Sequence, residues 1–204
     1  MIRQETSLRY GKDHKEDVHR TIVEFASARF RKDGLAAVGV RKLMTEAGLT
    51  HGGFYGHFPS RTALVAEALA SALDETLSSL TAAVTKAPEG KSLEAFVDSY
   101  LDPRHRDMPD RGCAGTSLAP EISRENSDAA AAFDTGLSRI VALLADQLPG
   151  ETSKNEVRTD RAWAVFSLLM GAIQLSRTRP VGQASDAILA AARNSALSLA
   201  RLPL

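Results

Sequence analysis

Apolar residues recur at spacings of three and four along most of the chain, and runs that alternate between apolar and polar residues are almost absent. This pattern predicts an all-α protein. The first predicted helix covers residues 14–32 and stops at Gly34, because glycine readily adopts the left-handed conformation that ends a helix. One face of this helix carries its apolar residues: Val18, Ile22, Phe25, Ala26 and Phe30.

Two short helical segments follow, over residues 40–47 and 50–58. Gly48 permits a sharp turn between them, and the Thr50 side chain is placed to cap the second segment. Two short helices joined by a tight turn behind an amphipathic helix are typical of a helix-turn-helix, whose second helix lies in the DNA major groove. The spacing therefore predicts a DNA-binding unit.

The second segment is rich in glycine and would be a poor helix in isolation. Its glycines are Gly52, Gly53 and Gly56. Glycine leaves one face without side chains, so the backbone can approach DNA closely, while Phe54 and Phe58 can anchor the opposite face in a core. Tyr55 and His57 are predicted to point outward.

Further helices are predicted to complete the chain, with a long loop over residues 102–115. Their predicted ranges are 61–86, 92–101, 116–123, 127–148, 153–177 and 183–201. Residues 162–175 are apolar nearly all round, which indicates burial on two sides. Pairing with a second subunit through the last two helices would achieve this burial in a four-helix bundle, and a buried monomer core is the alternative. The last helix carries a narrow stripe for that contact: Ala184, Ile188, Ala191, Ser195 and Leu199.

Charge is distributed unevenly between the two parts of the chain. Residues 1–61 hold 11 Lys and Arg against 7 Asp and Glu, and the remainder holds 14 against 18. The excess indicates a polyanionic partner at the N-terminal end. A basic arm of Arg3, Arg9, Lys12 and Lys15 could reach a minor groove, or it could be a disordered tail.

The composition of the chain indicates the cellular compartment in which the protein works. We expect a cytoplasmic protein, since the start of the chain lacks an apolar leader, no apolar run reaches the roughly 18 residues of a membrane span, and there is a single cysteine.

The run from Ile22 to Leu64 resembles the DNA-binding domain of TetR family regulators, above all over residues 43–64, LMTEAGLTHGGFYGHFPSRTAL. The resemblance implies that Thr50, Tyr55 and His57 contact DNA phosphates. Arg41 and Arg61 are further phosphate candidates, although the family often has threonine at the first position and usually has lysine at the second. Base and shape readout is left to the remaining residues of the segment: His51, Gly52, Gly53 and Gly56.

The resemblance also implies a division of the chain into a DNA-binding domain, residues 1–61, and a helical ligand-binding and dimerisation domain, residues 62–204. The expected function is a homodimeric repressor that a small-molecule inducer releases from a palindromic operator. Candidate ligand contacts are the large apolar residues of the second domain: Phe96, Tyr100, Phe133, Trp163, Phe166 and Met170.

Cys113 suggests a second way in which the protein could respond to a signal. Residues 112–121 resemble a Gly-Cys segment of the TetR branch that includes the N-ethylmaleimide-responsive repressor, which implies a sensor of electrophiles or oxidants. Three arginines precede Cys113 and should lower its pKa: Arg104, Arg106 and Arg111. The alternative is a buried cysteine that acts as a small hydrophobic residue.

Other function classes fit less well. A cysteine hydrolase would use Cys113 as nucleophile and His105 as base, but His105 is expected to lie in solvent and no third group is indicated. His51 and His57 are six residues apart and cannot converge on one metal ion from a helix, and no phosphate-binding glycine loop is present, so neither a metal nor a cofactor is expected. A helical adaptor would leave the glycine-rich segment unexplained.

Overall fold

The computed structural model describes residues 3–124, 128–150 and 155–202, and the side chains of residues 14–124, 128–150 and 156–202. The described residues form nine α-helices and two 3₁₀ helices, His51–Gly56 and Pro109–Arg111, with no strand among them. The all-α prediction is confirmed. The α-helices are α1 Arg3–Asp33, α2 Val40–Glu46, α3 Arg61–Lys86, α4 Ser92–Tyr100, α5 Pro103–Asp107, α6 Ala114–Ile122, α7 Asp128–Gln147, α8 Asn155–Arg177 and α9 Gln183–Ala200.

Helix α1 is longer than its apolar stripe predicts. It begins at Arg3 rather than at residue 14, because residues 3–13 are mostly good helix formers even though they carry no apolar face. The predicted basic arm is thus helical in its backbone, and the side chains of Arg3, Arg9 and Lys12 lie outside the described residues. The helix ends as expected at Gly34, which has a φ of 85° and donates its N–H to the Phe30 carbonyl at 2.9 Å.

Helix α3 connects the N-terminal helices to the rest of the chain. The Ser60 hydroxyl caps it by accepting the Ala63 N–H at 3.1 Å. Its inner face is buried against α1, α4 and α7. At the crossing with α7, a Cβ on Gly136 would lie 2.7 Å from Cβ of Leu73, so only glycine allows the two helices to approach this closely. One continuous core runs through all of these helices.

The segment predicted as a loop over residues 102–115 is mostly helical, so that prediction was wrong. Pro103 opens α5, where its missing N–H has no bond to lose, and the Asp102 carboxylate caps the helix by accepting the Arg104 N–H at 2.8 Å. Helix α6 begins at Ala114, two residues earlier than predicted, with Cys113 as its capping residue. The prolines and glycines that suggested a loop instead mark the ends of these short helices.

Helices α8 and α9 pack against each other and each keeps one apolar face inside the subunit. The opposite face of α8 is apolar as well and includes Leu168, Gly171 and Leu175, the last of which is 60% exposed. The stripe predicted on α9 lies at its surface, with Ala184, Ala191 and Ser195 exposed. None of the helices in the described ranges is both long and apolar enough to cross a membrane.

Candidate nucleic-acid interface and buried cleft

The turn after α2 sets the direction of the following 3₁₀ helix. Gly48 has a φ of 75°, which residues with a side chain rarely adopt, and the Leu49 N–H donates to the Met44 carbonyl at 2.8 Å. The Thr50 hydroxyl then accepts the Gly53 N–H at 3.3 Å, so the predicted cap is present. The two elements of the helix-turn-helix arrangement therefore lie at the predicted positions in the chain.

The second element is a 3₁₀ helix over His51–Gly56 rather than a longer helix over residues 50–58. Its three glycines weaken helix propagation, and the tighter 3₁₀ form is used mostly in short pieces. Phe54 and Phe58 are each 1% exposed, and their rings stack with centroids 5.5 Å apart. These two rings anchor the inner face of the segment in the core. Tyr55 therefore projects into solvent, with 68% of its surface exposed.

The glycines of this segment leave its outer surface open. A Cβ on Gly52 or Gly56 would meet no atom within 4 Å, and one on Gly53 would meet only Thr50 Oγ1 at 3.4 Å. Packing inside the subunit therefore does not require glycine at these positions. His51 and Tyr55 border the open surface, and both are exposed.

The two arginines predicted to contact phosphates differ in their surroundings. Arg41 is exposed at the start of α2. Arg61 is half-buried, because its guanidinium donates to the Leu35 carbonyl and lies 5.8 Å from the centroid of the Phe30 ring. Arg41 is thus free to reach a phosphate, whereas Arg61 would first have to release the Leu35 carbonyl.

His57 does not point outward, so that prediction was wrong. Its ring is half-buried, and Nδ1 is buried without a hydrogen-bond partner among the described residues. Burial lowers the pKa of His57, and the nearby His19 and Lys15 lower it further. The His19 ring stacks on Phe58 at 4.4 Å and its Nε2 is 2.6 Å from Glu67 of α3. His57 therefore belongs to a contact between α1, α3 and the 3₁₀ helix.

A cleft of about 590 Å³ lies between α3, α4 and residues 102–113. Of the predicted ligand and sensor residues, only Tyr100 and Cys113 line it. Phe96, Phe133 and Phe166 are buried in the core, and Trp163 and Met170 pack partly buried against it. Large apolar side chains were a poor guide to the cleft because most of them fill the core.

Cys113 is 1% exposed, and burial raises the pKa of its thiol. Its Sγ accepts the Gly115 N–H at 3.3 Å. Two of the arginines expected to activate it are paired with carboxylates, Arg104 with Asp102 at 2.7 Å and Arg106 with Asp107 and Asp186, each at 2.6 Å, and the third, Arg111, is exposed. The predicted lowering of the thiol pKa was wrong, and the alternative of a buried structural cysteine matches these surroundings.

His105 does not lie in solvent as expected, because its ring packs against the Tyr100 ring at 4.7 Å. Its Nδ1 donates to the Tyr100 carbonyl at 2.7 Å, and its Nε2 accepts the Cys113 backbone N–H at 2.9 Å. Burial lowers the pKa of His105 to about 4, which keeps the ring neutral. Both nitrogens are thus occupied by backbone groups, and the ring is not placed as a base for the thiol.

Residues 22–68 match the family model described as bacterial regulatory proteins, tetR family. The HTH-type transcriptional regulator TtgR of Pseudomonas putida is 27% identical over 180 residues, which cover 82% of this chain and 83% of TtgR. Residues 22–68 thus belong to the TetR family. The chain is also 30% identical to YfiR of Bacillus subtilis, an uncharacterized HTH-type transcriptional regulator, over 96 residues, which are 47% of this chain and 45% of YfiR.

Solved structures confirm that the TetR family fold extends through the C-terminal helices. The reduced form of Escherichia coli NemR superposes with a TM-score of 0.72 at 19% identity, covering 87% of this chain and 96% of NemR. The regulator SCO4454 of Streptomyces coelicolor gives 0.72 at 18% identity, covering 91% of this chain and 95% of that one.

Two polar contacts that the sequence did not indicate join the N-terminal helices to later parts of the chain, one beside the cleft and one on α6. Arg31 of α1 is buried, and its guanidinium donates to the Gly112 carbonyl at 3.0 Å and to Glu75 of α3 at 2.9 Å. The Glu121 carboxylate of α6 accepts the N–H groups of Leu35 and Ala36 at 2.9 and 3.1 Å. In the sequence, Arg31 is merely a basic residue near a helix end, and nothing marks Glu121 as the acceptor for the Leu35 and Ala36 amides.

Proposed function

We propose that the chain is a dimeric transcriptional repressor that binds a palindromic operator through residues 1–61 and releases it when residues 62–204 bind a small molecule. One observation carries DNA binding: the exposed Tyr55 ring and the open glycine surface share a 3₁₀ helix that two buried phenylalanines hold in place. A surface with little packing of its own and one projecting hydroxyl suits close approach of a phosphate backbone. TtgR and YfiR, both described as HTH-type transcriptional regulators, support this function.

In this proposal the residues around the 3₁₀ helix take different roles. Thr50 and Tyr55 contact phosphates, and Arg41 adds charge beside them. His57 is proposed to contact a phosphate only at the exposed edge of its half-buried ring. The bases face His51 and the glycine backbone, which favours recognition of DNA shape over many side-chain hydrogen bonds. Arg61 is expected to contribute less than Arg41, because it already binds the Leu35 carbonyl.

Tyr55→Phe tests the DNA contact. The substitution is expected to lower affinity for an operator, selected from a random duplex pool, by about tenfold for each protomer, since a hydrogen bond to a charged group contributes roughly 1.5 kcal/mol. Stability should not change, because the ring is largely exposed. Fluorescence anisotropy at fixed salt concentration measures the affinity, and urea denaturation measures the stability.

Thr81→Ala is the matched control, because it also removes one exposed hydroxyl but lies far along α3 from the 3₁₀ helix. Its operator affinity should equal that of the unsubstituted chain. An unchanged affinity in Tyr55→Phe, or recovery of no enriched duplex from the pool, would contradict the proposed interface.

The dimer is proposed to form through α8 and α9. Each helix presents a second apolar or small-residue face away from its own subunit; Leu175 of α8 is 60% exposed, and Val181, between the two helices, is 72% exposed. Two such helices from each protomer would form an intersubunit four-helix bundle. This arrangement repeats the 3₁₀ helix about a two-fold axis, and a palindromic operator requires the two copies to lie about 34 Å apart.

Arg31→Met tests the link between the two parts of the subunit. Removing the guanidinium leaves the buried Gly112 carbonyl without this donor, so the free energy of unfolding is expected to fall by about 1–2 kcal/mol. Hydrogen exchange at the amides of Cys113, Gly115 and Thr116 should accelerate as well. Urea denaturation and exchange measured by mass spectrometry give the two results.

Arg29→Met is the control for that variant. Arg29 lies on the same helix but pairs with Asp33 and Glu46, both within the N-terminal helices, and these partners are partly exposed. Its loss should cost less than about 1 kcal/mol and leave exchange around Cys113 unchanged. Equal exchange rates in the two variants would show that Arg31 does not connect α1 to the cleft region.

The proposed signal is a small molecule in the cleft rather than modification of Cys113, because the thiol is buried and its pKa is raised. The likeness to NemR in its reduced form is one of fold. Since α3, Arg31 and Gly112 all adjoin the cleft, its occupation can alter the position of the DNA-binding helices. A cytoplasmic location follows from the proposed contact with operator DNA.

A further inference from the structure

The floor of the cleft contains a buried hydroxyl beside a weak hydrogen-bond acceptor. Tyr100 is 2% exposed and lines the cleft, and its Oη lies beside the Cys113 thiol without a well-aligned hydrogen bond to any described residue. Its ring is fixed edge-on against His105 and Phe166, with centroids 4.7 and 5.2 Å away. A buried hydroxyl without a well-aligned partner is costly and is normally satisfied. The position of Tyr100 therefore points to a ligand that supplies a hydrogen-bond acceptor.

The guanidinium of Arg177, which lies next to the floor of the cleft, has no negatively charged partner among the residues that the structure describes. Arg177 is half-buried, and its hydrogen bonds to described residues end on neutral acceptors: the carbonyls of His105 and Arg106 and the hydroxyls of Thr116 and Ser117. No carboxylate pairs with it in the described part of the chain. A Cβ on Gly112 would be 3.1 Å from Nη2 of Arg177, so this guanidinium lies directly behind a residue that lines the cleft.

The carboxylates that line the cleft do not neutralise this charge, because each already has an arginine partner. The pairs are Glu75 with Arg31, Asp98 with Arg193 and Asp102 with Arg104. Arg111 also lines the cleft, is exposed, and has no ion pair with any residue that the structure describes. The paired charges cancel, and Arg111 and Arg177 leave the cleft with an excess of positive charge.

We propose that the cleft binds a small monocarboxylate, with a carboxylate oxygen accepting the Tyr100 O–H and the negative charge balanced by Arg111 and Arg177. The volume of about 590 Å³ lies within the range of small-molecule sites. Leu80 and Met108 line the same cleft and provide apolar contacts for the body of the ligand. This inference rests on the proposed function and names the chemical class of its effector.

The Cys113 thiol is the other group beside Tyr100 that could supply negative charge. Burial raises the pKa of that thiol, so it stays protonated near neutral pH and leaves the positive charge unbalanced. His105 is neutral and holds backbone groups with both ring nitrogens. Neither side chain replaces an anionic ligand.

Calorimetric titration of the full-length chain tests the proposal with two matched pairs of probes, phenylacetate with phenylacetamide and benzoate with benzamide. Each carboxylate is expected to bind at least about tenfold more tightly than its neutral amide. Tyr100→Phe should remove most of this preference and keep the wild-type unfolding midpoint, since Oη gives up only a weak contact with the Cys113 thiol. Arg111→Gln should reduce the preference, whereas Arg124→Gln, an exposed arginine at the end of α6, should retain it.

Any one of three results would overturn the proposal. The acid and its amide could bind equally, neither member of any pair could bind at millimolar concentration, or Tyr100→Phe could keep the wild-type preference for the acid. Operator anisotropy with and without phenylacetate separates this inference from the proposed function. Preferential carboxylate binding that leaves operator affinity unchanged would support the ligand class and contradict release by an effector. Operator binding by a chain that fails the calorimetric test would support DNA binding and contradict the ligand class.

Discussion

Phe58→Ala is expected to lower the free energy of unfolding by about 3–4 kcal/mol and to abolish operator binding at concentrations that saturate the unsubstituted chain. Phe58 is 1% exposed, and its ring stacks on both His19 and Phe54. The 3₁₀ helix above it contains three glycines and has little stability of its own, so a cavity beneath it would release the surface that carries Tyr55. Urea denaturation and operator anisotropy measure the two effects.

Phe58→Leu is the control for this prediction, because leucine fills most of the space with another apolar side chain. We expect it to recover more than half of the lost stability and a measurable operator affinity. Full operator affinity in Phe58→Ala would show that the turn at Gly48 and the cap at Thr50 position the 3₁₀ helix without the ring.

Acidification is expected to cost the protein about 2 kcal/mol of stability by pH 5 and about 3 kcal/mol by pH 4 through His105 alone. The pKa of this ring falls from 6.5 to about 4 on folding. Between these values the unfolded chain binds a proton that the folded chain does not, so stability is complete above pH 6.5 and is lost as the pH falls toward 4. Protonation would also remove the acceptor that the Cys113 N–H uses.

His105→Gln isolates this effect, since glutamine does not titrate. The variant should be less stable than the unsubstituted chain at pH 7, but the difference between the two should shrink as the pH falls to 4. Urea denaturation over this range gives both curves, and comparing them removes the contributions of Asp102, Asp107 and the other carboxylates that titrate in each chain. Parallel curves would mean that His105 does not carry the acid sensitivity.

The features that could be predicted from the sequence are those set by local physical chemistry. The range predicted for α3, residues 61–86, is the observed one, and Gly48 and Thr50 were correctly predicted as the turn residue and the cap. The outward position of Tyr55 followed from Phe54 and Phe58, which anchor the same short segment. Each of these inferences needs only residues within about four positions of one another, and the match to the TetR family over residues 22–68 includes the turn, the cap and Tyr55.

The parts that could not be predicted depend on contacts between residues distant along the chain. His57 was expected to be exposed, but His19, 38 positions earlier, packs near it. The arginines before Cys113 suggested a reactive thiol, but Arg106 pairs with Asp186, 80 positions later, and burial dominates the pKa of the thiol. The pairing of Arg31 with Gly112 spans 81 positions and leaves no local pattern.

The close approach of Gly136 to Leu73 is the point about which α3 would pivot if it tilted against α7. Arg61, at the DNA-binding end, is 12 residues from Leu73, about 18 Å along the helix, whereas Ser79 of the cleft is six residues beyond it, about 9 Å. A rigid α3 that tilts about this crossing would move its DNA-binding end about twice as far as its cleft end, and in the opposite direction. A displacement of half an ångström or so by a bound ligand thus becomes about one ångström at the helix-turn-helix, and the two-fold axis of a dimer would double its effect on the separation of the two operator contacts.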